Sequence, residues 1–275
     1  MDFVVRMEDL DRVTSSRDHE AGQLHALELL GLDWDATVVR QSERFDRYDA
    51  AIDELHGLGR TYECFCTRRE IREAVRAPQS PTAPDGAYPG TCRGLTDSDR
   101  AALRREGRLP ALRLRADRAV IEIDDEIRGT FAGVVDDVVL RRNDGVPAYN
   151  LAVVVDDAAQ GVAEVVRGDD LLSSTPRQVM LQRLLGLATP RYRHVPLVLG
   201  ADGVRLAKRH GSVTLAQLSH KGIDASAVLS LIAESLGLCV IGESVGAAEL
   251  IDRFDLRSLP RGPWVLAPDL QRSQP

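Results

Sequence analysis

Lysine is almost missing from this chain: of its 35 cationic residues only Lys208 and Lys221 are lysines, and the rest are arginine. The imbalance reads as coding bias more than function, yet it makes each lysine worth inspecting. Aromatic residues are also scarce, at 4%, so aliphatic side chains must supply the core. No uninterrupted apolar run of about 18 residues occurs, which excludes an ordinary membrane-spanning helix. The opening Met1-Asp2-Phe3-Val4-Val5-Arg6 has neither the basic stretch nor the cleavage pattern of a secretory leader. The expected compartment is therefore the cytoplasm, with no membrane partner. A net charge of −7 excludes a broadly basic nucleic-acid coat while leaving room for a local RNA-binding patch. There are four cysteines, three of them between Cys64 and Cys92, with Cys239 alone in an apolar stretch. In a chain without a secretion signal such clustering favours metal over disulfides.

What is present fits a globular chain: 275 residues, 44% hydrophobic and 28% charged, long enough to bury a sizeable core. Phe3-Val4-Val5 reads as a short buried strand. Ser15 with Asp18 resembles a capping box, and Ala21, Leu24, Leu27 and Leu30 recur at helical spacing until Gly31. A second helix is expected over residues 43–56, with Phe45, Tyr48, Ile52 and Leu55 on one face. Residues 76–90 turn to Pro, Gly, Ser and Ala, which predicts a long loop inside the cysteine cluster. The middle third is β-rich, with strands at 119–123 and 138–140 and an Asn143-Asp144-Gly145 hairpin turn leading to Tyr149. An α/β pattern follows. It has a strand at 164–167, a helix capped by Thr175 with Pro176 at its first position, a strand at 195–199, a Gly200-Ala201-Asp202-Gly203 turn and a helix over 225–236.

Three groups of residues carry candidate chemistry. Arg6-Met7-Glu8-Asp9-Leu10-Asp11 follows a strand directly, where open α/β sheets bind ligands, and a carboxylate there can hold a substrate ammonium group. A solvated helix N-terminus is the alternative. Lys208, just after the Gly200–Gly203 turn, is a compact point charge suited to polyphosphate, or simply part of a basic surface loop. Cys64-x-Cys66 with Tyr88-x-x-x-Cys92 could close a tetrahedral zinc site, although tyrosine is not among zinc's usual ligands; reduced structural cysteines are the alternative.

In this order the segments resemble the glutamyl-tRNA synthetase family, and within it the short branch of glutamyl-Q tRNA(Asp) synthetases. The matching stretches are Arg6-x-Glu8-Asp9-Leu10-Asp11, Gly31-Leu32-Asp33-Trp34-Asp35, Gln41-Ser42-x-Arg44, Cys64-x-Cys66-Thr67-Arg68, Tyr88-Pro89-Gly90-x-Cys92, Asp136-Asp137-Val138-Val139-Leu140-Arg141-Arg142, Val155-Asp156-Asp157 and Arg167-Gly168-x-Asp170-Leu171-Leu172. The resemblance implies an α/β, Rossmann-like class I synthetase catalytic domain with a zinc-containing insertion and a short helical C-terminal region. It implies Glu8, Tyr149 and Arg167 as the glutamate pocket and Lys208, in the place of the family's KMSKS loop, as the catalytic contact to ATP. It also implies Cys64, Cys66, Tyr88 and Cys92 as ligands of one structural Zn2+. The expected substrates are L-glutamate, ATP with Mg2+ and queuosine-bearing tRNA(Asp), and the expected state is a monomer.

The resemblance further divides the chain into residues 1–60 and 146–210 as two parts of the catalytic domain, 61–145 as the zinc-binding insertion, 211–260 as a helical region and 261–275 as a tail. The family's HIGH motif has no counterpart ahead of Arg6, so the first β-α unit is expected to be missing. Two other readings stay open from sequence: a zinc-stabilised module that binds tRNA or glutamate without ATP chemistry, and a truncated glutamyl-tRNA synthetase.

Overall fold

The computed structural model describes residues 2–74, 87–206 and 214–266, which fall into two compact units: residues 1–39 with 195–275, and residues 40–194. The expected loop at 76–90 lies mostly outside the described residues, as do Lys208 and most of the tail. No described helix is long and apolar enough to cross a membrane.

In the first unit the strand expected at Phe3–Val5 forms slightly later. β1 is Arg6–Met7, and Val5 contributes only a carbonyl that accepts from the Val39 N–H at 3.1 Å. Helix α1, Arg17–Leu29, is capped by Ser16, not Ser15; the Ser16 hydroxyl accepts from the His19 N–H, and Asp18 and Glu20 occupy the first turn. None of its residues is fully buried, so the stripe of Leu24, Leu27 and Leu30 is only half covered. β2, Val39–Arg40, pairs with β1 and leads out of the unit.

The second unit opens with helix α2, Phe45–Gly57. Its buried residues, Tyr48, Ala51, Ile52 and Leu55, lie at the i, i+3, i+4, i+7 spacing of one helical face. β3, Thr61–Cys64, is followed by helices α3, Arg68–Ala74, and α4, Asp97–Arg105, the latter closed by a Thr96–Asp99 capping box. β4, Ala111–Leu114, pairs antiparallel with β3, setting Cys64 opposite Ala111. After β5, Val120–Asp125, and β6, Gly129–Val134, comes β7, Val139–Arg141, which completes a three-stranded sheet in the order β3-β4-β7. The turn at residues 143–145 forms as expected, with Gly145 at φ 83° and the Arg142 N–H bonded to the Val146 carbonyl.

Helix α5, Tyr149–Gln160, strand β8, Glu164–Gly168, helix α6, Thr175–Leu184, and strand β9, Arg191–Val195, finish the unit. A mixed sheet runs β6-β5-β9-β8, with β5 antiparallel to β6 and parallel to β9, and α6 packs against β5 and α5. Thr175 does not cap α6. It is already helical, Ser174 precedes it, and its hydroxyl is spent on buried side chains. Two neighbours explain why residue 133 is glycine: a Cβ there would lie 2.7 Å from the Pro176 ring and 3.0 Å from Phe131.

The strand expected at 195–199 is two strands divided by Pro196, which has no N–H for a ladder. β9 ends at Val195, and β10, Val198–Leu199, belongs to the first unit, parallel to β11, Trp264–Val265. Between those come helices α7, Leu215–Ser219, α8, Ala225–Ser235, and α9, Ala247–Arg253. A small core of Ala233, Leu238 and Val245 includes Cys239 at its margin, so the lone cysteine is a packing residue.

Candidate functional site

Cys64 stands at the end of β3, Cys66 two residues on, and Tyr88 and Cys92 arrive from the other side of the Pro-rich segment. The three sulfur atoms lie within 4.8 Å of one another, with Cys66 and Cys92 3.4 Å apart. None is in a disulfide. Tetrahedral zinc with bonds of about 2.3 Å to sulfur sets neighbouring sulfurs roughly 3.8 Å apart, so this spacing fits the ion. The Tyr88 oxygen completes the cluster, 3.3 Å from Cys64 Sγ and 3.6 Å from Cys66 Sγ, and it accepts the Cys92 N–H at 2.8 Å. Burial pushes the Cys66 thiol up to about 12, so only a nearby cation would hold it as thiolate at neutral pH. Burial acts the same way on Cys92, but hydrogen bonds from Tyr88, the Phe65 backbone and the neighbouring thiols outweigh it and leave Cys92 below its usual value.

The cluster is braced by residues that sequence reasoning did not single out. The Arg113 guanidinium lies 3.7 Å above the centre of the Tyr88 ring, a close cation–π stack, and donates to the Asp137 carbonyl at 2.7 Å. Asp136 accepts the Tyr88 N–H at 2.8 Å and Arg177 Nε at 2.6 Å, joining the cysteine cluster to α6. Asp137 is buried and accepts from the Tyr62 hydroxyl at 2.6 Å, from Arg93 and from the Ala116 N–H. Burial alone would raise Asp137, but Arg93 and these donors hold its carboxyl below the usual range. The Asp136-Asp137 pair was visible as a motif; its bracing role was not, because Arg93, Arg113 and Arg177 are three of many arginines.

Two further motifs meet in space. Asp156, on α5, accepts from Gln41 Nε2 at 3.0 Å, Arg44 Nε at 2.6 Å and Tyr48 Oη at 2.6 Å, so the Gln41-Ser42-x-Arg44 and Val155-Asp156-Asp157 stretches form one buried hub. Tyr149, the first residue of α5, is 42% exposed. Arg167, on β8, donates through Nε to His194 at 3.0 Å and through Nη2 to Thr175 at 2.7 Å. Burial raises the Tyr192 phenol against the opposing hydrogen bond from Gln182 and the Arg167 guanidinium, whose carbon lies 5.4 Å from the Tyr192 ring centre. Glu8, in the first unit, follows β1 and accepts from Arg6 at 3.3 Å. Lys208 lies outside the described residues.

Residues 2–267 match the family model described as tRNA synthetases class I (E and Q), catalytic domain. A protein of Nocardia farcinica named Glutamyl-Q tRNA(Asp) synthetase is 58% identical over 264 residues, covering 96% of this chain and 82% of its own. A protein of the same name from Cutibacterium acnes is 52% identical over 238 residues, 86% of this chain and 67% of its own. Among solved structures, the glutamate-tRNA synthetase of Elizabethkingia anophelis superposes with a TM-score of 0.78 at 25% identity. That match takes in 98% of this chain but only 62% of the solved one, so the chain spans less than two thirds of it. The likeness bears out the expected α/β class I catalytic fold.

Proposed function

Since the chain belongs to the class I tRNA synthetases of the glutamate and glutamine type, we propose that it is a ligase that activates L-glutamate with ATP and passes it to the queuosine base of tRNA(Asp), a tRNA modification. The observation that carries this reading is the 58% identity, over nearly the whole chain, to a protein named for that activity. The glutamate carboxylate attacks the α-phosphate of ATP, forming glutamyl adenylate and releasing pyrophosphate. A cyclopentenediol hydroxyl of queuosine then takes the glutamyl group and AMP departs. Little covalent help from the protein is required, and positioning with charge neutralisation does most of the work.

In this reading Glu8 holds the substrate ammonium group, Tyr149 and Arg167 complete the amino-acid pocket, and Lys208 meets the ATP phosphates together with Mg2+. A guanidinium suits a carboxylate because its N–H groups fork onto both oxygens. Cys64, Cys66, Tyr88 and Cys92 hold one structural zinc, supported by the sulfur spacing and by the phenol oxygen set among the thiols. The ion's contribution is to fold the segment around it. The reading keeps residues 1–60 and 146–210 as the two parts of the catalytic domain, with 61–145 inserted, 211–260 as a helical region and 261–275 as a tail. It describes a cytoplasmic monomer.

The test is transfer of radiolabelled glutamate to tRNA(Asp) with and without queuosine, measured for this chain and for the full reading frame that encodes it. Label that appears only with queuosine, and stays on the tRNA when a nuclease removes the 3′-terminal nucleotide, supports the proposal. Label on the 3′ end of a glutamate tRNA would make the protein an ordinary glutamate-tRNA ligase. No glutamate-dependent ATP–pyrophosphate exchange from either protein would remove the enzyme reading.

A further inference from the structure

His194 is fully buried, as is the Asp125 carboxylate beside it, and the proposed chemistry uses neither. Their geometry fixes the proton. Arg167 Nε always carries hydrogen, so at 3.0 Å from His194 Nε2 it can only donate, and Nε2, which also has the Thr175 hydroxyl 3.1 Å away, must offer its lone pair. The ring proton then sits on Nδ1, 2.6 Å from Asp125 Oδ2. Asp125 is itself pinned at the end of β5 by the backbone N–H groups of Ile127 at 3.0 Å, Arg128 at 2.7 Å and His194 at 3.0 Å.

The same arrangement orients Arg167 in two ways. Its Nε edge is occupied by His194, and its Nη2 donates to Thr175 Oγ1 at 2.7 Å, so one side of the guanidinium is fixed to buried partners. Its plane is limited by Tyr192, whose ring centre lies 5.4 Å from the guanidinium carbon and which stacks on His194 with an interplanar angle of 20°. The Nη1 end makes no hydrogen bond among the described residues. Burial and the neighbouring Arg167 keep His194 below its usual value against the opposing pull of Asp125, which agrees with a neutral ring.

We propose that Asp125, His194 and Thr175 are positioning residues that fix the Arg167 guanidinium, with its Nη1 end presented, for the carboxylate of the amino-acid substrate. This rests on the reading of Arg167 as a glutamate ligand given above. A guanidinium held in its bound orientation loses less freedom on binding than a mobile one, so the buried relay acts on glutamate affinity through Arg167 alone.

Two measurements on the full chain test it. The first is equilibrium dialysis with radiolabelled L-glutamate, beside melting temperature and ATP affinity, for the wild type, Arg167→Ala, His194→Gln, Thr175→Val and Thr175→Ser. The expected result is a glutamate Kd raised about tenfold or more in His194→Gln and Thr175→Val, the size of one lost hydrogen bond to a charged group. Thr175→Ser should restore it, with ATP affinity and melting temperature near wild type. If Arg167→Ala weakens glutamate binding but Thr175→Val does not, the positioning role is wrong while the pocket stands. If Arg167→Ala changes nothing, or the wild type binds no glutamate, the pocket reading itself fails. The second measurement needs no substrate: the long-range proton–nitrogen NMR spectrum of the His194 ring, assigned by its loss in His194→Gln. An Nδ1–H tautomer is expected, and an Nε2–H or doubly protonated ring overturns the hydrogen bond to Arg167.

Discussion

Asp156 is a carboxylate with no exposure to water, held by Gln41, Arg44 and Tyr48. Burying a charge is tolerable only when its partners replace the lost solvent, and removing one member leaves the other uncompensated. Asp156→Ala strands the Arg44 guanidinium, whose side chain is only 17% exposed. The expected cost is about 3–5 kcal/mol of unfolding free energy. Tyr48→Phe removes one donor while leaving the ion pair, and about 1–2 kcal/mol is expected. Urea denaturation read by circular dichroism orders the two variants, and equal costs would mean that the ion pair is not what holds α2 to α5. The Asp125–His194 pair carries a pH signature. Burial opposes the Asp125 charge, but His194 and three backbone N–H groups outweigh it and hold its carboxyl below the unfolded value. His194 is also depressed, chiefly by burial. For both groups the unfolded chain binds more protons over the window between folded and unfolded values, so stability rises with pH there. The contribution is complete above the unfolded histidine value and is lost as pH falls through the folded values of each group. Melting temperature followed through the carboxylate range, below the window in which histidine titrates, should therefore fall less steeply in Asp125→Asn than in the wild type.

At the scale of elements, how much was readable depended on whether an element's cause was local. Helix α2 was legible because a 3.6-residue apolar period states its buried face directly, and the hairpin turn was legible because Asn143-Asp144-Gly145 names its own backbone geometry. Ser16 took the cap from Ser15 because the choice between adjacent hydroxyls depends on which residue leaves the helical conformation, and composition does not reveal that. Strand β6 carries a weak local signal because Gly129, Ala132 and Gly133 interrupt Thr130, Phe131 and Val134; its pairing with β5 makes it a strand. The cysteine cluster was legible from spacing, whereas the His194 relay joins residues 69 and 27 positions apart in sequence and left no local trace. Gly133 shows the same dependence on tertiary context. A Cβ there meets the ring of Pro176, fixed in the first turn of α6, so the strand or the helix must shift. Gly133→Ala should destabilise by about 1–3 kcal/mol, as overpacking does in other cores. Gly107→Ala is unsuitable as a control because its φ is 81°, whereas Gly22, which has open space around it and lies within α1, should gain slightly as alanine. A chemical denaturation series over the two variants decides whether the contact with Pro176 sets the sign.

For the molecule as a whole, the cysteine cluster lies within the unit of residues 40–194, which also contains the three-stranded sheet and the Asp156 hub. Its members come from two stretches of chain, Cys64 and Cys66 on one side and Tyr88 and Cys92 on the other, with Cys66 and Tyr88 22 positions apart. An ion that binds this arrangement and not the unfolded chain adds stability in proportion to the logarithm of its saturation. At free zinc near 100 times its dissociation constant the gain is about 2.7 kcal/mol. For a unit of this size that corresponds to a melting shift of roughly 5–10 °C. Elemental analysis of protein purified without chelator should find about one zinc per chain, and Cys92→Ser should lose most of it. Chelation should lower the melting temperature by the stated amount and increase amide exchange first in β3, β4 and the segment around Tyr88, because those backbones converge on the sulfurs. Helices α8 and α9, which close their own small core in the other unit, should keep their protection at the same chelator concentration. Uniform loss across both units would mean that the ion supports global folding instead of one segment, and an unchanged melting curve with no zinc in the purified protein would leave the cysteines as packing residues only.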